Sequence, residues 1–187
     1  MMHVVKKLLS TFVDHPTVVT TLLVGIVAVQ FAVSALWFHD LDLSLLFSEL
    51  SENDQRSVLS QLALGLAGVA AMVGGFAGVV VVFGLSSEDA RFREVRMKAA
   101  TSLRRNWTSV VTTPLVAAFG ALLAATAAGV GAFGISVWTI ELCLLLAAHG
   151  AVRLVVILRE LVKVVHRADE GVTRSEQFVD EDEFFED

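Results

Sequence analysis

Glu141, His149 and Arg153 are a carboxylate, an imidazole and a guanidinium set in one long apolar block. Ionisable groups in such a block are expensive to bury, and they bind protons or cations, relay charge, or hydrogen-bond a neighbour. His149 and Arg153 are four residues apart and share a face of any helix they occupy. Glu141 stands about one turn from the outer end of its segment, where water reaches it. Gln30 is the one strongly polar side chain of the first apolar block and is its candidate partner. We therefore expect a candidate intramembrane polar site of Glu141, His149, Arg153 and Gln30, with the first three lining a seam. The competing expectation for Glu141 is an ordinary hydrogen bond within the bundle or at the interface. Arg153, near the opposite end, can extend its head to lipid headgroups.

Other chemistries find little support. No second His, Asp or Cys stands at ligand spacing from His149, so no metal site is expected. The single cysteine, Cys143, excludes an intrachain disulfide. The chain has no G-x-S-x-G, P-loop, H-E-x-x-H or Gly-rich dinucleotide fingerprint. No catalytic residue and no cofactor is expected, and no nucleic-acid motif is present. No aspartate lies in an apolar block, as a paired-aspartate intramembrane protease would require.

The elements that must hold these residues are read from composition. Of 187 residues 55% are hydrophobic and 18% charged, against about 25% charged in ordinary soluble domains. The apolar residues collect into four blocks, at 17–38, 61–85, 108–128 and 135–156. About 20 apolar residues in a helix cross the roughly 30 Å hydrocarbon layer. The fold class expected is all-α: a four-span transmembrane helical bundle of two helical hairpins, occupying residues 1–170. The first block is longer than the apolar run of a cleaved signal, so an anchor is expected. Lys6, Lys7 and the Val33-Ser34-Ala35 stretch keep cleavage of residues 1–35 open.

Between the second and third blocks lies segment 86–107, with Arg91, Arg93, Arg96, Lys98, Arg104 and Arg105. Phe92, Val95, Ala99 and Leu103 recur at helical spacing there, predicting an amphipathic cytoplasmic helix. Its arginines 91, 93, 96, 104 and 105 are candidate headgroup contacts, since each cation near an acidic leaflet contributes about 1 kcal/mol. Between the first two blocks the only cation is Arg56. This asymmetry places both termini and the basic segment in the cytoplasm of a multi-pass protein of the cell (plasma) membrane. In the outer loop, Ser51 followed by Glu52 and Asp54 reads as a helix start ahead of the second block.

Rows of small residues predict the contacts between spans. Gly74 and Gly78 form one pair, and Ala67, Ala71 and Gly75 form a second row. Ala117, Ala121, Ala125 and Gly129 form a matching row in the third block. Small rows let helix backbones approach closely in lipid, so the two blocks are expected to pack face to face. The same chemistry suits self-association into a homo-oligomer. Pro114 falls in the first turns of the third block, where a kink is tolerated within a bundle.

Past the fourth block, residues 157–170 continue as a cytoplasmic amphipathic extension. The tail 171–187 holds six acids in its last eight residues and is expected to be disordered. Phe178, Phe184 and Phe185 among those acids resemble a docking peptide for a basic cytoplasmic protein partner. Membrane lipids are the other expected partner. Together these features predict a non-enzymatic anchor, sensor or assembly subunit. The alternative is an oligomeric channel or proton-coupled transporter with Glu141 and His149 lining its path.

Overall fold

The computed structural model describes residues 16–36, 43–86 and 100–182, with side chains described over 17–36, 43–83, 108–159 and 161–163. Among the described residues four α-helices carry the fold: α1 (Pro16–Leu36), α2 (Glu52–Ser86), α3 (Ala100–Gly129) and α4 (Phe133–Asp182). A short 3-10 helix, Leu43–Phe47, precedes α2. No strand occurs among the described residues. All four helices contain stretches long and apolar enough to cross a membrane: Thr17–Leu36, Glu52–Phe83, Thr108–Gly129 and Phe133–Lys163.

Local chemistry sets the helix ends. α1 opens on Pro16, whose missing N–H costs nothing at a first helical position. α2 starts at Glu52, nine residues ahead of the second apolar block. There the Ser51 hydroxyl accepts from the Asp54 N–H at 3.3 Å and donates to Asp54 Oδ2 at 2.6 Å. The Gln55 amide donates to the Phe47 and Leu50 carbonyls at 2.8 and 3.1 Å, tying the 3-10 turn to the start of α2. α3 ends in a Schellman turn: Ala132 N–H donates to Ala127 O and Gly131 N–H to Ala128 O. Gly131 has φ of 86°, which a Cβ would strain. α4 therefore begins at Phe133, and the turn is shorter than the Gly129–Ser136 stretch the sequence marks out.

The packing has small residues inside and large ones outside. The core holds Ala63, Ala67, Ala70, Ala117, Ala118, Ala121, Ala124, Ala128 and Ala147, with Leu59, Leu66, Val137, Ile140, Cys143 and Leu146. Val69, Met72, Phe76, Val79, Phe119 and Leu123 are all more than half exposed. In water such a surface would aggregate. In lipid the tails are as apolar as leucine, so helices associate by close van der Waals contact between small residues.

α2, α3 and α4 make the tightest pairings, and α1 packs chiefly on α4. Contact levels show the chain directions. Ser60 Oγ donates to Ala125 O at 3.4 Å, while a Cβ built at Gly74 would lie 3.0 Å from Leu115. Ascending α2 thus descends α3, so the two are antiparallel. Ser136 with Ala124, Cys143 with Gly120, Gly150 with Pro114 and Arg153 with Ser109 give the same relation for α3 and α4. The division into two sequential hairpins does not order this packing: the closest pair is α2 with α3, across the central segment.

α3 is continuous through Pro114, which is fully buried. Its ring lies against Gly150, where an added Cβ would meet ring carbons at 3.1 to 3.3 Å. α4 departs from the expected disordered tail, because its backbone stays helical to Asp182. The stretch contains no proline, and its one glycine, Gly171, costs only about 1 kcal/mol relative to alanine. Residues 183–187, with Phe184 and Phe185, lie outside the described residues, as does the side chain of Phe178. Arg91, Arg93 and Arg96 also lie outside them. Arg104 and Arg105 fall in the first turns of α3, their side chains beyond the described set.

Candidate functional site

α4 carries all three ionisable residues of the expected polar site, and its geometry separates them. A helix turns about 100° and rises about 1.5 Å per residue. Residues 141 and 153 therefore stand ~120° apart around α4 and ~18 Å apart along it. Glu141 faces α1 and Arg153 faces α3.

On the α1 side, the Glu141 carboxyl stands beside the Gln30 side chain, close enough for the amide to act on it. Its Oε2 is buried without a hydrogen-bond partner. At the same level Phe31 and Trp138 meet edge to face, with ring centroids 5.5 Å apart and planes at 85°. Such a pair contributes about 0.5–1.5 kcal/mol beyond its buried area. α1 buries Val19, Val27 and Ser34, and Leu23 packs against the core.

On the α3 side, Arg153 is 4% exposed. Its Nη1 donates to Ser109 Oγ at 2.7 Å. Ser109 Oγ in turn lies 3.5 Å from Thr113 Oγ1. The guanidinium is thus held inside the bundle by the Ser109 hydroxyl of α3, which Thr113 backs. The sequence had left it free to extend to headgroups. His149 lies between the two levels, its Nε2 buried without a partner. The structure brings Glu141 to Gln30 and takes Arg153 to Ser109, so the described contacts do not join the three residues in one seam. No group of three or more His, Cys, Asp or Glu that could hold a metal ion occurs among the described residues.

The small-residue rows are placed as follows. Gly74 is buried and Gly78 half-buried. Ala117 and Ala121 are fully buried, and Ala125 packs partly buried against the same cluster. Ala67 is buried, whereas Ala71 and Gly75 are exposed. Ala67 and Ala71 line an open apolar groove of about 350 Å³, together with Gly68, Leu115 and Phe119.

Sequence reasoning passed over Ser109, Thr113, Gly120 and Gly150. Ser109 and Thr113 carried a usable signal. They are four apart at the N-terminal end of the third block, the level at which Arg153 lies in an antiparallel neighbour. Gly120, whose added Cβ would stand 2.6 Å from Cys143 Sγ, carried none, because only the interhelical distance reveals it.

The four apolar helices fit a polytopic membrane protein. Comparison with known protein families, curated proteins and solved structures found no match.

Proposed function

We propose that the chain is a non-enzymatic multi-pass protein of the cell membrane that serves as an anchor or assembly subunit, with both termini on the cytoplasmic side. The length of α4 carries this reading. Its 50 residues amount to ~75 Å of helix, of which the hydrocarbon layer takes only ~30 Å. The remainder continues on the side to which the basic 86–107 segment belongs. A helix projecting from a membrane bundle is a platform for a protein partner, and its acidic end suits a basic one. The cation asymmetry supports the orientation. The open groove beside Ala71 and Gly68 supports self-association of copies through lipid-facing small residues.

The decisive experiment is affinity capture from membranes in mild detergent, with the full chain and with a variant ending at Lys163. Capture of the same protein by the full chain alone supports the reading, and an identical complex with both removes it. A second reading, an oligomeric channel or proton-coupled transporter, is favoured by the two orphaned atoms, Glu141 Oε2 and His149 Nε2. Ion flux in proteoliposomes that is lost in Glu141→Gln would establish it in place of the first.

A further inference from the structure

The α1–α4 seam contains a carboxyl group whose hydrogen bonding suits one protonation state. An ionised carboxylate has only acceptors. Gln30 can donate to one Glu141 oxygen, which leaves the other, the buried Oε2, charged and without a donor. A neutral acid removes that charge, and its O–H can itself donate to the amide oxygen of Gln30. The acid and the amide then form a two-point pair. A cation in place of the proton would need more ligands than one carboxyl and one amide, since hard cations take about six or more oxygens.

Among the described residues, no counter-charge stands at this level. α1 has no ionisable residue between Pro16 and Leu36, and α3 has none between Thr108 and Gly129. On α4 itself Cys143, two residues on, is a buried thiol, and the nearest groups that can carry positive charge are His149 and Arg153, ~12 and ~18 Å further along the helix. Glu49 lies beside the 3-10 turn, and Glu52, Asp54 and Arg56 lie at the outer end of α2. Arg56 reaches the Gly131 turn, ten residues before Glu141. His39, Asp40 and Asp42 lie outside the described residues.

We propose that Glu141 is a proton-binding site and that its proton holds α1 on the bundle. With the proton bound, α1 docks on α4 through Gln30 and Phe31. Without it, the carboxylate must gain water, and the outer half of α1 leaves α4. Docking is therefore present at low pH and lost as pH rises through the titration of Glu141. α1 is the helix free to respond, because the α2–α3–α4 core closes without it. The inference does not depend on the anchor role, since capture of a partner by α4 neither requires nor excludes it.

The test uses the full chain in lipid vesicles, with Trp37→Phe and Trp107→Phe so that Trp138 is the only tryptophan. A hydrophobic carbodiimide, which reacts with protonated carboxyls in apolar surroundings, should form an adduct at Glu141 at acid pH. The adduct should be lost at alkaline pH and absent in Glu141→Gln. In vesicles with brominated acyl chains, quenching of Trp138 should rise with pH as Phe31 withdraws. In Glu141→Gln it should stay low throughout. Slow maleimide labelling of Cys143 at every pH verifies that the core remains folded. No adduct at any pH, or Trp138 quenching independent of pH in the protein with Glu141 intact, would overturn the proposal.

Discussion

The α3–α4 contact and the α1–α4 contact use opposite means to hold a helix to the same partner. Between α3 and α4, backbones approach closely over Gly120 and Gly150, the half-buried Ser109 hydroxyl accepts from Arg153, and the buried Ser136 hydroxyl donates across to Ala124 O. Between α1 and α4 the seam holds large residues, one aromatic pair and one polar pair. Close backbone approach yields many small dispersion contacts and little freedom to move. A seam of side-chain ends can open without disturbing the backbone. α4 is thus fixed on one face and releasable on another.

That contrast can be broken from the tight side first. Gly150→Leu should have the largest effect, about 2–3 kcal/mol of destabilisation, because the Pro114 ring cannot rotate away from an added side chain. Maleimide labelling of Cys143, buried in the same contact, would accelerate, and an unchanged rate would show that α3 and α4 are not closely packed. Gly131→Val should cost about 1–2 kcal/mol by forcing a β-branched residue into the left-handed region. It should lower the thermal midpoint in detergent. Ser109→Ala removes one hydrogen bond of a buried guanidinium. Bonds between membrane helices are worth about 0.6 kcal/mol on average and ~1.7 at most, so the loss should be about 1 kcal/mol, read from the same melting curve.

Phe31→Ala sharpens the comparison with the smallest expected effect on the core. It should weaken α1 docking by about 1 kcal/mol, seen as greater quenching of Trp138 by brominated lipid. Cys143 labelling should stay as slow as in the unaltered chain. If the core opens as well, α1 is part of it and the contrast fails.

The readable part of the site followed from residue type and depth. Glu141, His149 and Arg153 stand out because an ionisable group in an apolar block is rare whatever surrounds it. Their neighbours were harder. Gln30 was found because it is the one strongly polar residue of its block, whereas Ser109 and Thr113 are among several hydroxyls in theirs and drew no notice. The helical continuation past Gly171 was missed because an acidic composition reads as disorder, although nothing in it stops a helix already under way.

Residue order alone determined the number of apolar helices and the alternation of polar and apolar segments. Both depend only on length, composition and rise per residue. The tertiary structure decided which small residues meet, and that Glu141 faces α1 while Arg153 faces α3. Each step along a helix turns the side chain by about 100°, so a partner is chosen by how neighbouring helices are arranged around the axis. One chain's local spacing does not contain that arrangement.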